Sequence, residues 1–290
     1  MERDDKPRSG IALGGIGAGS FELRQDGILR NWSIFNNYPL GTGEPLDWRE
    51  DSMLFFVVRW EVEGEYPGMR ILQVTEGYKV GAIQNHYYEF PWLTGVDRIE
   101  YEGRFPFVNM RFSDEQMPLD IELEAFSPFI PHDVKNSSLP AAIFNFTVTS
   151  RSEKPVHLML MASMRNAVGY DVEDKYHLSN VLQREDHRLF EVTEGGMDES
   201  HSSFGAQVLA SLAPDSTYYT GWEVHHPYYE YVIRHRELPD YDDTGGRNAE
   251  DPDTGELKAL YNWYGSIAVS RRLENQESLD HTFVKSWHFP

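Results

Sequence analysis

Strict alternation of apolar and polar residues is the dominant signal along the chain. In LDIELEAF, Leu119, Ile121, Leu123 and Ala125 fall on one side, and Asp120, Glu122 and Glu124 on the other. This is the period-two pattern of a strand with one face in a core and one in water. AAIFNFTVT places Ala142, Phe144, Phe146 and Val148 on one side, and after the turn-rich SRSEKP the stretch VHLMLMASM, Val156 to Met164, is apolar on both sides. The spacing predicts a hairpin whose second strand is the more deeply buried. SFELRQDGILRNWSIF alternates, turns at Asp26-Gly27 and alternates again, a second predicted hairpin. Further strands are predicted over Met53 to Val62, Val96 to Glu102, Phe107 to Phe112, Phe204 to Leu212, Tyr264 to Leu273 and Ser278 to Phe289.

No segment sustains a 3.6-residue apolar period over three turns. SNVLQRE, Ser179 to Glu185, comes nearest, and HHPYYEYVIRH, His225 to His235, reads as an aromatic-rich strand. Sequential strands without crossover helices predict an all-β chain: a large antiparallel two-sheet β-sandwich with few short helices. No Pro/Ser-rich linker interrupts it, so residues 1–290 are expected to form a single domain, with the turn-rich stretch 239–257 as an exposed acidic loop.

Charge narrows the range of partners. With 26 Lys and Arg against 47 Asp and Glu, the net charge of −21 repels nucleic acid and anionic membrane surfaces. The chain has no cysteine, which removes disulfides, thiolate metal sites and a thiol nucleophile. MERDDKPRSG has no apolar signal-peptide core, and no apolar run approaches the length of a membrane helix. A cytoplasmic location follows as the expectation, with no membrane span.

GGIGAGS, Gly14 to Ser20, is the densest glycine cluster and invites a phosphate-binding reading. A dinucleotide fingerprint needs G-x-G-x-x-G between a strand and a helix. Here Gly15, Gly17 and Gly19 are spaced G-x-G-x-G and a strand hairpin follows. The glycines read instead as an extended segment where bare backbone packs closely on a neighbouring strand, a ligand or another domain. DPDTGE, from Asp251, puts Gly255 at the wrong place for an EF-hand loop, and His225, His226 and His235 lack a zinc-ligand spacing. No metal and no cofactor are expected. Ser20 lacks a nucleophile elbow, and sequence spacing does not single out a catalytic pair among so many carboxylates. RNWSIFNNYP, NHYYEFPWL, GWEVHHPYYEY and LYNWYG mix aromatic rings with Asn, Glu or His. Such mixtures suit a sugar, with rings for its C–H faces and polar groups for its hydroxyls, and equally a protein interface.

SGIALGGIGAGSFELRQDGILRNWSIFNN resembles the opening of glycoside hydrolase family 116, the β-glucosidases and non-lysosomal glucosylceramidases. Gly10, Leu13, Gly14, Gly15, Gly17 and Gly19 match its glycine motif, and Arg30, Asn31 and Trp32 its R-x-W segment. LEAFSPFIPHDVKNSSLPAAIFNFTV and the closing FVKSWHFP are also similar to that family's N-terminal domain. The resemblance implies a β-sandwich that packs on a separate (α/α)6 barrel, and that barrel would carry the glutamate nucleophile and aspartate acid/base of a retaining mechanism. No helical region here matches the barrel, so the catalytic pair has no counterpart and no catalytic residue is assigned. What carries over is a set of carbohydrate or domain-interface candidates: Gly14, Gly15, Gly17, Gly19, Arg30, Asn31, Trp32, Asn36, Asn37 and Trp92. Three roles compete: a non-catalytic domain or subunit of such a hydrolase, a stand-alone carbohydrate-binding module, and a scaffold that associates through an apolar patch.

Overall fold

The computed structural model describes residues 10–35, 53–74, 93–172, 176–222, 225–242, 249–250, 257–258 and 263–290. From the N-terminus run β1 (Ile11–Gly14), β2 (Ser20–Leu23), β3 (Leu29–Ser33), β4 (Leu54–Val62), β5 (Gly68–Ile71) and β6 (Leu93–Gly95). Next come β7 (Arg98–Arg104), β8 (Phe107–Ser113), β9 (Leu119–Phe126) and the short helix α1 (Val134–Ser137). β10 (Ala141–Ser150), β11 (Val156–Arg165), β12 (Tyr176–Gln183), β13 (Arg188–Gly195), β14 (Ala206–Ser211) and β15 (Thr217–Trp222) lead to helix α2 (His225–Arg234). Three two-residue strands, β16 (Tyr241–Asp242), β17 (Ala249–Glu250) and β18 (Leu257–Lys258), precede the long β19 (Tyr264–Leu273) and β20 (Ser278–His288).

Two large sheets form the expected sandwich. One has eight strands in the order β12-β13-β14-β20-β10-β9-β8-β7, and the other seven, β16-β15-β19-β11-β4-β5-β6. All pairings in the eight-stranded sheet are antiparallel, whereas the seven-stranded sheet ends in parallel pairs at both edges, β15 with β16 and β5 with β6. The inward residues of β8, β9, β10 and β20 meet Phe56, Val58, Leu158 and Leu160 of the other sheet in one core. β1, β2 and β3 form a separate antiparallel sheet whose Leu13, Phe21, Leu23 and Trp32 join that core. Among the described residues, no helix is long and apolar enough to cross a membrane.

Two sequence expectations fail, for one reason. β10 and β11 are not a hairpin: β10 pairs with β9 and β20, and β11 with β4 and β19 in the opposite sheet. And HHPYYEYVIRH is not a strand but α2. The outer face of the seven-stranded sheet is itself buried, because Met159 and Met161 of β11, with Phe55 and Val57 of β4, pack with Tyr228, Tyr229 and Val232 of α2. β11 is thus apolar on both sides because a helix covers its outer face. Pro227 lies in the first helical turn, where its missing N–H costs nothing. SNVLQRE falls on β12, an edge strand.

Polar anchors hold α2 down. The Tyr228 ring stacks on Trp222 at 4.0 Å, its hydroxyl donates to Ser266 Oγ at 2.8 Å, and burial pushes its pKa up to about 12. Buried Arg59 donates through Nη2 to the Ile233 carbonyl at 3.2 Å, where the helix end favours a cation, and to Glu61 at 2.7 Å. Arg236 also grips Glu61, at 2.6 Å, and these arginines, Arg236 foremost, lower its pKa to about 2.

Lys285 breaks the apolar rule of the core. It faces inward from β20 and is fully buried, with Nζ 2.9 Å from Met164 Sδ, and burial drives the ammonium well below the usual lysine range. The unfolded chain therefore takes up a proton that the folded chain rejects, so stability falls as pH drops below 10.5. Lys285→Met is expected to raise the melting temperature at pH 7 by a few degrees, about 1 kcal/mol or more, and to flatten the rise in stability between pH 7 and 10. Unchanged stability in a thermal scan contradicts this. Glu61 works in the opposite sense: its contribution is complete above pH 4.5 and is lost as pH falls toward 2. Glu61→Gln is expected to cost on the order of 1 kcal/mol in urea unfolding at pH 7 and to leave stability at pH 2 nearly unchanged.

Candidate functional site

The glycine cluster is not the extended segment that its sequence implied. Gly14 pairs with Ser20 as the last rung of the β1–β2 hairpin, and residues 15–19 form its loop. Two glycines are required for different reasons. Gly19 has φ +86°, and a Cβ there would sit 2.4 Å from the Ser33 carbonyl oxygen, so neither conformation nor space admits another residue. Gly17 has φ +74° with open space around it, so only the left-handed conformation is demanding. Gly15 lies against the Ser138–Leu139 backbone, and its carbonyl accepts from the Ala18 N–H at 3.1 Å.

The loop is clipped on both sides. Ile16 N–H donates to the Ser137 carbonyl of α1 at 2.8 Å, and Trp287 Nε1 of β20 donates to the Ala18 carbonyl at 2.7 Å. Between the loop, Ser33–Ile34 and the Trp287–Phe289 tail lies a cleft of about 180 Å³. Its walls combine the backbone of Gly17 and Gly19 with Ser33, Ile34, Pro140, Trp287 and Phe289. Further aromatic contacts connect its rim to the sandwich: Phe289 meets Phe35 at 4.8 Å and Phe35 meets Tyr170 at 5.2 Å. The segment before Tyr170 is fixed by buried Asn166, which donates at 2.9 Å to buried Glu194, itself paired with His177.

The remaining candidates separate. Trp32 is buried: it stacks on Phe21 at 4.2 Å and donates through Nε1 to the Leu29 carbonyl at 3.0 Å. Its ring belongs to the core and is closed to a sugar or a neighbouring domain, which corrects its place among the carbohydrate or domain-interface candidates. It faces inward because the register of β2 and β3 shifts between Ser20 and Glu22, with Asn31 in the left-handed region at φ +57°. One extra residue thus lets Leu29 and Trp32, three apart, share the inner face. Arg30 pairs across the strands with Glu22 and, with Arg24, counters the rise that burial imposes on the Asp26 pKa. Asn36, Asn37 and Trp92 lie outside the described residues, as do Asp251, Asp253 and Gly255. Ala249–Glu250 and Leu257–Lys258 on either side pair antiparallel.

A second concavity, of about 600 Å³, lies over the solvent face of β7, β8, β9 and β10. Cross-strand register sets Glu100, Arg111 and Glu122 in one row, and Glu102, Asn109, Glu124 and Asn145 in the next. Arg111 bridges to Glu122 at 2.6 Å. Sequence reasoning saw these residues only as the wet side of strands, because register between non-adjacent segments is what assembles the rows. Among the described residues, no group of three or more His, Asp or Glu side chains is arranged to hold a metal ion.

No curated protein matches the sequence. Among solved structures, a putative aldose 1-epimerase from Escherichia coli K12 is similar at 8% identity and TM-score 0.48, over 98% of this chain and 100% of that one. A family 36 α-galactosidase from Geobacillus stearothermophilus is similar at 9% identity and TM-score 0.38, over 98% of this chain and 41% of that one. A polysaccharide lyase is similar at 10% identity and TM-score 0.36, over 98% and 32% respectively. The family described as beta-glucosidase 2, glycosyl-hydrolase family 116 N-term, matches residues 10–290, and the chain belongs to that N-terminal domain family.

Proposed function

We propose that the chain is the non-catalytic N-terminal domain or subunit of a β-glucosidase- or glucosylceramidase-like glycoside hydrolase, packing on a separate (α/α)6 catalytic module and contributing to the rim of its sugar pocket. The family match over residues 10–290 carries this reading. Its support in the structure is the glycine loop: bare backbone clipped to α1 and to the end of β20, beside a cleft. A cytoplasmic setting is part of this proposal. A second reading, a stand-alone carbohydrate-binding module, rests on the polar concavity over β7–β10, whose carboxylates, amides and guanidinium match the hydrogen-bonding needs of sugar hydroxyls.

Expression alone and together with an (α/α)6 catalytic module of the family separates the two. Hydrolysis of an aryl β-glucoside is expected only when both products are present, and activity of the isolated chain overturns the accessory reading. Isothermal titration with gluco-oligosaccharides tests the module reading, and no heat at millimolar ligand removes it. The glycines give a finer test. Gly19→Ala is expected to cost about 3 kcal/mol or more, because strain and overlap combine. Gly17→Asn keeps a left-handed conformer and is expected to melt within a few degrees of wild type while weakening association with the catalytic module. Equal association of Gly17→Asn and wild type, by co-elution, shows that the loop is not part of the contact.

A further inference from the structure

Large apolar side chains are exposed around one end of the sandwich to an extent unusual for a surface that meets only water. Val134 of α1 is 70% exposed, Ile16 at the tip of the glycine loop 53%, Ile130 49% and Leu139 46%. Hydrogen bonds to Ser137 make these neighbours. Ile16 N–H donates to Ser137 O at 2.8 Å, Ile130 N–H donates to Ser137 Oγ at 2.8 Å, and Leu139 follows Ser137 at the end of α1. Phe129, next to Ile130, extends the patch to Phe105 through an edge-to-face contact at 5.2 Å, both rings being exposed. Single exposed apolar residues are ordinary, but a continuous group around one helical turn marks a surface that another body covers.

Charge and position limit what that body is. The chain carries a net charge of −21, yet the patch holds little charge: Asp133 caps α1 through Asn136, and Lys135 offsets it. A basic partner would be drawn to the acid-rich faces elsewhere, whereas this face selects an apolar one. The end of β20 lies at the patch border, since Trp287 N–H donates to the Pro140 carbonyl at 3.2 Å and Trp287 Nε1 to Ala18. A module joined to, or docked beside, this end meets the patch at high effective concentration.

We infer that the face formed by Ile16, Phe129, Ile130, Val134 and Leu139 is the surface through which this domain docks on an apolar face of the helical catalytic module. The inference rests on the accessory-domain reading above and names the contact within it. It assigns docking to α1 and its flanking turns, with the glycine loop as the rigid lip that orders one side.

The test is association of the chain with an (α/α)6 catalytic module of the family, measured by sedimentation for wild type, Ile130→Asp, Val134→Asp and, as a control at a distant exposed apolar position, Leu212→Asp. Because both patch positions are exposed, the variants are expected to melt within about 2 °C of wild type. Association is expected to weaken at least tenfold in Ile130→Asp and Val134→Asp and to be unchanged in Leu212→Asp. If wild type associates and the two patch variants do so equally well, the docking surface lies elsewhere and only this inference falls. If wild type does not associate at all, the accessory-domain reading falls with it. A wild-type homodimer that Val134→Asp converts to monomer assigns the patch to a second copy and overturns the proposed occupant.

Discussion

The insertion of Phe56 between the two sheets is the contact on which the rest of this structure depends. It stands on β4, near the middle of the seven-stranded sheet, and its ring meets Phe144 at 5.0 Å, Phe146 at 4.9 Å and Phe283 at 6.1 Å on the facing sheet. Aromatic rings of this size set the separation between layers, with the Phe56–Phe146 contact edge-to-face and the other two tilted. Once that spacing is set, positions farther from it accept polar groups, Lys285 and the Asn166–His177–Glu194 cluster among them. The centre of the sandwich is thus an apolar clamp, and the end near the glycine loop is built by specific hydrogen bonds.

That division explains what was legible in the sequence. β9, β10 and β20 alternate cleanly because one face is core and the other is water, and this period of two is a property of each strand by itself. β11 lacked the signal for a non-local reason, since its outer face is covered by a helix more than sixty residues away in sequence. α2 was misread because tyrosine and valine favour strands. The pairs Tyr228/Val232 and Tyr229/Ile233, with Pro227 in the first turn, were the available helical signal in a segment too short to make it dominate.

The candidate site was legible in composition but not in shape. Four glycines in seven residues did mark an unusual backbone. That they form a hairpin loop depends on the pairing of Gly14 with Ser20, and that Trp32 is a core residue depends on one bulge at Asn31. A bulge shifts every later side chain to the opposite face, and no alternation rule anticipates it. The apolar patch was equally hidden, because Phe129, Ile130, Val134 and Leu139 come from an irregular stretch whose exposure is a tertiary property.

The place of β20 has a consequence for how the molecule is made. It lies between β14 and β10, at the centre of the eight-stranded sheet, although it follows every other described strand in sequence. During synthesis β7–β10 on one side and β12–β14 on the other each present an unpaired edge until residues 278–288 have cleared the ribosome. The N-terminal hairpin waits as well, since its loop is anchored to Trp287. Sheet, glycine loop and cleft are therefore completed together once β20 is in place, because without it β14 and β10 each keep an unpaired edge.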